Sequence, residues 1–173
     1  VKNKNLLMKD LQELINNRLD NMMKRNPSRI NYYERYQKII EEYNAEQDKA
    51  AIEKTFIDLT NFVNDLDDEE KRYVREGFNN DEELAMYDLL LKDSLTPAEI
   101  KKVKKLAKVL LERIKDKISE LDHWTEKEET QAAVDILIRD TLWSELPDSY
   151  DDRLLNEYRR KIYEFVYTTY PAA

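Results

Sequence analysis

TPAEIKKVKKLAKVLLERIKDKISEL, residues 96–121, carries both the start signal and the periodicity of a long amphipathic helix. Thr96 is a favoured N-cap residue, Pro97 suits the first helical position, and Glu99 completes a capping box with Thr96. Apolar residues then recur on one face as far as Leu121, which predicts a helix roughly 37 Å long. The residues on that face are Ile100, Val103, Ala107, Leu110, Ile114, Ile118 and Leu121.

Three helices are predicted upstream from the same periodicity. The first covers residues 5–25, and its apolar positions are Leu7, Leu11, Leu14, Ile15, Leu19 and Met22. Ser28 is expected to cap the second, whose buried stripe is rich in tyrosine and consists of Tyr32, Tyr36, Ile39 and Tyr43. The third has the most regular spacing of the first half, at Ile52, Phe56, Leu59, Val63 and Leu66.

Local start and stop signals predict the remaining helices. The acidic run at 65–70 is expected to open a short helix that ends before Gly77, because negative charge favours a helix N-terminus and glycine a position after the C-terminus. Capping boxes are read at Asn80-x-x-Glu83 and Thr125-x-x-Glu128. A final helix is expected to bury Leu155, Tyr158, Ile162, Phe165 and Val166.

The composition of the 173 residues favours an all-α fold and excludes several kinds of site. The chain has one Gly, no Cys, one His and four Pro. A chain without cysteine has no disulfide and no thiolate nucleophile, and the lone Gly77 cannot supply a P-loop or a G-x-G-x-x-G turn. We therefore expect a compact bundle of about seven helices with no sheet, and no internal repeat.

The net charge of −8 argues against nucleic-acid binding by the whole surface. No apolar run approaches the length of a membrane span, so we expect a soluble, cytoplasmic protein that does not contact a membrane. One domain over residues 1–173 is predicted, and the connection at 93–96 is the point where it would divide into two packed halves. Because the first residue is Val1 rather than Met, the chain is expected to be a fragment of a longer polypeptide.

Metal and catalytic sites are weakly supported. Glu120-x-x-His123 has the spacing of a carboxylate-histidine ligand pair, but a di-iron site needs a second pair and the chain has one His. The acidic run at 65–70 lacks the glycine and the length of an EF-hand loop. We predict no catalytic, cofactor-binding or metal-ligating residue.

The polar side of the 96–121 helix carries a row of lysines, Lys101, Lys105, Lys108 and Lys115, interrupted by Glu112. Between residues 96 and 121 there are eight basic and four acidic residues, a net charge of +4 that leaves −12 on the rest of the chain. Such a row would face DNA phosphates or an acidic partner. The simpler interpretation is a solvated helix face with i,i+4 ion pairs.

Tyrosines form the second candidate site. Tyr36 and Tyr158 lie on apolar stripes and are expected in the core, whereas Tyr33, Tyr163 and Tyr167 fit those stripes less well. Exposed tyrosines are typical of the centre of a protein interface. These three are therefore candidate interface residues, with a place at the edge of the core as the alternative.

Five ordered blocks resemble the C-terminal helical region of the type I restriction enzyme R subunit. They are NPSRINYYERYQKIIEEYN (26–44), LDDEEKRYVREGF (66–78), DEELAMYDLL (81–90), LTPAEIKKVKKLA (95–107) and LPDSY (146–150). The resemblance runs from about Asn26 to the end of the chain. As an ordered set, the blocks are fairly specific to that family.

The resemblance implies an architecture rather than an active site. R subunits have an N-terminal nuclease domain, two RecA-like motor domains that use ATP to translocate DNA, and helical regions after the motor. The C-terminal part is associated with docking onto the methyltransferase core of modification and specificity subunits. The family's catalytic motifs lie upstream, so ATP and Mg are expected on other domains, and the parent is expected to be an ATP-dependent, site-specific deoxyribonuclease.

We therefore predict a non-catalytic assembly domain whose partners are the methyltransferase subunits, with DNA reached through the parent complex. The alternative is an auxiliary DNA-contacting domain that uses the lysine face of the 97–121 helix. An independent small enzyme is the third hypothesis and has the least support.

Overall fold

The structure, a computed structural model, describes the backbone of residues 2–172 and the side chains of residues 5–172. Its α-helices are α1 (Lys2–Arg25), α2 (Ile30–Ala45), α3 (Lys49–Glu70), α4 (Arg72–Arg75), α5 (Asp81–Leu90), α6 (Pro97–Ser119), α7 (Glu128–Glu145) and α8 (Asp152–Thr169). Two short 3₁₀ helices cover Pro27–Arg29 and Trp124–Glu126. No strand occurs among residues 2–172, so the all-α prediction is confirmed, and the eight α-helices of the described residues agree with the expected number of about seven.

The helices group into two compact units, Val1–Gly77 and Phe78–Ala173. The boundary follows Gly77, whose φ of +83° confirms the predicted left-handed position after a helix. The connection at 93–96 lies within the second unit, where it joins α5 to α6. That the chain forms a single domain stays a prediction.

In the first unit, α1, α2 and α3 pack against one another around an apolar core. The tyrosine stripe of α2 is confirmed, since Tyr36 and Tyr43 are buried. The expected face of α1 is partly wrong, because Leu7 and Leu14 are exposed. Neighbouring helices cover only the stripe about 100° away from these leucines, which is formed by Met8, Ile15, Leu19 and Met22.

The acidic run at 65–70 does not open a helix; it forms the last turns of α3. Negative charge at a helix C-terminus is unfavourable with respect to the helix dipole. Arginines compensate for it, through ion pairs of Arg18 with Asp67 and Glu70 and of Arg35 with Asp65. The prediction failed because these arginines are distant in sequence from the run.

In the second unit, α6 packs against α5 and α7, and α8 packs against α7 and α5. The predicted capping box at the start of α6 is confirmed. Glu99 N donates to Thr96 Oγ1 at 3.2 Å, and Thr96 N donates to Glu99 Oε1 at 3.1 Å. The buried residues of α6 are Val103, Leu106, Ala107, Leu110, Leu111, Ile114 and Ile118. The predicted buried face of α8 is also confirmed.

Two predicted caps are wrong. Asn26, not Ser28, caps the Pro27–Arg29 turn, and its Oδ1 accepts from Ser28 N at 3.1 Å. Thr125 lies inside the 3₁₀ helix at Trp124–Glu126, so α7 begins after Lys127 without a side-chain cap. Asn80 does cap α5, by accepting from Glu83 N at 2.9 Å.

Candidate functional site

The predicted lysine row on α6 divides into an exposed part and a packed part. Lys101 and Lys105 are exposed, whereas Lys108 and Lys115 are half-buried. Lys115 Nζ donates to Glu82 Oε2 at 2.7 Å and lies 5.6 Å from the centre of the Tyr170 ring. Lys108 Nζ lies 5.7 Å from the ring centre of Phe78. The structure therefore brings only half of the row to the solvent.

The contacts of Glu82 show the role of Lys115 in the packed part of the lysine row. Burial alone would raise the pKa of Glu82, but hydrogen bonds from Lys115 and Tyr170 outweigh it and hold this pKa below its ordinary value. Tyr170 Oη donates to Glu82 Oε1 at 2.7 Å. Lys115 thus joins α5, α6 and the end of the chain, which is a structural role.

The three predicted interface tyrosines belong to different units. Tyr33 lies half-buried on α2 against the core of the first unit, and its hydroxyl accepts from Gln37 Nε2 at 2.9 Å. Tyr163 and Tyr167 lie on α8 in the second unit, with ring centres 6.2 Å apart. The structure brings the latter two together, and Tyr33 belongs to a separate set of contacts.

Tyr163 and Tyr167 are held by Trp124, which helical periodicity did not single out. Trp124 is fully buried, and both tyrosine rings meet it edge-on, with centres 6.0 and 5.7 Å away. Trp124 Nε1 donates to the carbonyl of Tyr170 at 2.7 Å. Because these partners are distant in sequence, local spacing carries no signal for Trp124. Tyr167 remains 43% exposed, so this cluster fixes an aromatic side chain in a solvent-facing position.

A groove between α7 and α8 begins beside Tyr163. It is lined by Asp135 of α7 and by Asn156, Arg159, Arg160 and Tyr163 of α8. Arg159 binds Asp135 through two hydrogen bonds, of 2.9 Å from Nε and 2.7 Å from Nη2. Arg160 is exposed and forms no ion pair with any described residue.

The outer face of α7 carries the most exposed aromatic side chain that the structure describes. Trp143 is 68% exposed, and Ile136, seven residues earlier, is 45% exposed. Seven residues are close to two helical turns, so both side chains lie on the same side of α7. The signal was available in the sequence, since neither residue fits the apolar stripe that runs through Val134, Ile138 and Leu142.

Together these residues define the α7–α8 surface: Ile136, Trp143, Arg159, Arg160, Tyr163 and Tyr167. Tryptophan, tyrosine and arginine are the residue types enriched at the energetic centres of protein interfaces. Three of these side chains have partners within the second unit, since Arg159 binds Asp135 and both tyrosine rings contact Trp124.

The described residues offer neither a metal cluster nor a membrane-spanning helix. Across residues 2–172, no three carboxylate or imidazole groups lie together as a metal site would require. His123 is exposed, with Nε2 3.4 Å from Asp122 Oδ1 and Nδ1 3.8 Å from Glu126 Oε2. No helix in the described part of the chain combines the length and apolar character needed to cross a membrane.

Comparison with known proteins identifies the family. A family model described as type I restriction enzyme HindI endonuclease subunit-like, C-terminal, matches residues 1–164. No curated protein and no solved structure matches the chain. The match confirms the resemblance that the five sequence blocks indicated, and it extends it to the start of the chain. The chain belongs to the family of type I restriction enzyme HindI endonuclease subunit-like C-terminal domains.

Proposed function

We propose that this chain is a non-catalytic assembly domain that docks an ATP-dependent DNA translocase and endonuclease onto the methyltransferase core of a type I restriction enzyme. Membership of a family of C-terminal domains from endonuclease subunits supports a place in a type I restriction enzyme. The modification and specificity subunits would be its partners. ATP, Mg and the nuclease site would belong to other domains of the parent chain, which would act in the cytoplasm.

The observation that carries the proposal is the exposure of Trp143 and Ile136 on the outer face of α7, the helix that also lines the groove with the arginines of α8. Leaving a tryptophan two-thirds exposed keeps a large apolar area in water, and burying that area against a partner is favourable at about 25 cal/mol per Å². The unpaired donors of Arg160 would add directional hydrogen bonds at the edge of the contact. Both features suit docking.

The test uses the full endonuclease subunit with the double substitution I136A/W143A. Because both side chains are exposed, the variant is expected to fold normally and to lose affinity for the methyltransferase core. Removing one hot-spot residue costs about 2 kcal/mol or more, which corresponds to a loss of about 30-fold. Isothermal titration calorimetry of the subunit against the methyltransferase complex, without DNA, measures this loss.

The matched control is L7A/L14A, which removes two exposed apolar side chains from the first unit. It is expected to bind as the unmodified subunit does. Equal affinity for I136A/W143A and the unmodified subunit would exclude the α7–α8 surface. Normal assembly of a subunit that lacks this whole chain would exclude the docking function itself.

A further inference from the structure

Residues 100–111 of α6 carry a run of positive charge. Residues 100–111 include five lysines and no acidic residue. Lys101, Lys102 and Lys105 are exposed and form no ion pair with any described residue. These three residues are named the lysine surface. The acidic residues of α6 nearest to it, Glu99 and Glu112, flank the stretch at its two ends.

Two further lysines of α6, Lys104 and Lys108, lie near aromatic rings. Lys104 Nζ lies 5.6 Å from the ring centre of Tyr87 and 6.0 Å from that of Phe78, and Lys108 Nζ lies 5.7 Å from Phe78. These cation–π contacts keep two ammonium groups close to α5. They hold two further positive charges beside the lysine surface, on partly buried side chains.

Glu99, the acidic side chain closest in sequence, forms no ion pair with this surface. The carboxylate of Glu99 accepts hydrogen bonds from Thr96 N, at the start of α6, and from the Ser149 hydroxyl. These hydrogen bonds, first that from Ser149, hold the pKa of Glu99 below its ordinary value. No described carboxylate lies within ion-pair distance of Lys101, Lys102 or Lys105.

The spacing of the lysine surface suits a row of phosphates. Lys101 and Lys105 lie one turn apart on the same side of α6, about 6 Å along its axis, and Lys102 lies a third of a turn to one side. Duplex DNA presents about one phosphate charge per 1.7 Å of its axis, so three flexible lysines within this span can each reach a phosphate oxygen.

The residue types separate this surface from the α7–α8 surface. Lysine is depleted in protein interfaces, where tryptophan, tyrosine and arginine are enriched. It is a strongly hydrated point charge that suits contacts with phosphate, which need no exact geometry. The two surfaces of the second unit thus have the chemistry of two different partners.

We propose that the lysine surface contacts the sugar-phosphate backbone of duplex DNA without reading its sequence. This contact is a second binding function, and it does not depend on docking to a methyltransferase. It limits the DNA-contacting part of α6 to Lys101, Lys102 and Lys105, because Lys108 and Lys115 are engaged with Phe78, Glu82 and Tyr170.

The experiment measures how the affinity of the full endonuclease subunit for a short duplex without a recognition sequence depends on salt. Each phosphate contact contributes about −0.9 to the slope of log affinity against log salt concentration. The variant K101Q/K102Q/K105Q is expected to reduce the slope by about 2 to 3. K101R/K102R/K105R retains the charge and is expected to keep the original slope.

The control K9Q/K38Q/K49Q removes the same charge from exposed lysines of the first unit. It is expected to leave the slope nearly unchanged. An unchanged slope for K101Q/K102Q/K105Q, or an equal reduction by the control, would overturn the proposal. Weaker binding of the same variant to the DNA-free methyltransferase core, with an unchanged DNA slope, would instead assign the surface to an acidic protein partner. Failure of I136A/W143A to alter docking would leave the slope result standing.

Discussion

The first unit buries an ion pair where the second unit buries neutral hydroxyl and indole groups. In the first, Arg29 and Glu69 are 1% and 4% exposed, and Arg29 Nε donates to Glu69 Oε2 at 3.1 Å. Arg72 and Tyr32 also donate to Glu69. Arg29 Nη1 donates to the carbonyl of Met22, near the C-terminus of α1, and this carbonyl also accepts from Asn26 N at 3.0 Å.

The second unit satisfies comparable carbonyls without charge. Tyr150 Oη donates to the carbonyl of Leu90 at 2.6 Å, and Tyr158 Oη donates to that of Leu91 at 3.0 Å, both at the end of α5. Trp124 Nε1 likewise donates to the carbonyl of Tyr170. The core of the first unit therefore depends on paired charges, whereas that of the second depends on the fit of large aromatic side chains.

Substitution of the two tryptophans tests the role of aromatic packing in the second unit, and the largest change in the free energy of unfolding is expected from W124A. W124A removes a fully buried side chain from the second unit and is expected to lower its free energy of unfolding by about 4 kcal/mol. W143A removes an exposed side chain and is expected to change it by no more than about 0.5 kcal/mol. Both tryptophans lie in the second unit, so fluorescence of the remaining one during chemical denaturation reports this difference. Equal losses would contradict the distinction between them.

The buried ion pair is tested by E69Q, which is expected to destabilise the first unit by about 3 kcal/mol because it leaves Arg29 buried without its carboxylate. The double substitution R29M/E69M removes both charges and is expected to recover most of that loss. Hydrogen exchange followed by mass spectrometry assigns the changes to peptides of residues 2–77. A double variant less stable than E69Q would show that the pair itself contributes net stability.

Lowering the pH is expected to have the smallest of the three effects on stability, because Glu69 is only partly protonated in mildly acidic buffer. Burial alone would raise the pKa of Glu69, but Arg72 and Arg29 outweigh it and hold this pKa below the ordinary value of 4.5. A lowered pKa in the folded state means that its stability contribution is present above that value and is lost as the pH falls through the folded-state pKa. Hydrogen exchange in the first unit should accelerate in that range.

The same acid titration sharpens the comparison between the units. Glu82 in the second unit also has a lowered pKa, but its side chain is 43% exposed against 4% for Glu69. Its contribution is therefore expected to be smaller. In E69Q, the acid sensitivity of the first unit should fall to that of the second. Equal acid sensitivity before the substitution would argue against the role assigned to Glu69.

Local signals predicted much of the fold. The capping box of Thr96 and Glu99, the left-handed Gly77 and the buried stripe of α8 all depend on residues within a few positions of one another. The same reasoning failed for the acidic run at 65–70. Negative charges are found at either end of a helix when distant arginines pair with them, and the sequence alone did not show those arginines.

The candidate surfaces were predicted in part. The row on α6 was found because helical spacing is local, but the packing of Lys108 and Lys115 against α5 could not be read from α6 alone. The prediction of Tyr163 and Tyr167 identified residues that the structure brings together, whereas Tyr33 lies in the other unit. Whether these residues bind a partner stays a prediction.

The all-α class, the approximate number of helices and the start of most of them follow from local sequence, because capping and 3.6-residue periodicity are properties of neighbouring residues. Packing between the helices determines which apolar stripe of α1 is buried and brings Arg29 to Glu69, 40 residues away. It also decided that Trp143 remains exposed while Trp124 does not. Burial depends on which surfaces meet, and contacts between segments distant in sequence determine that.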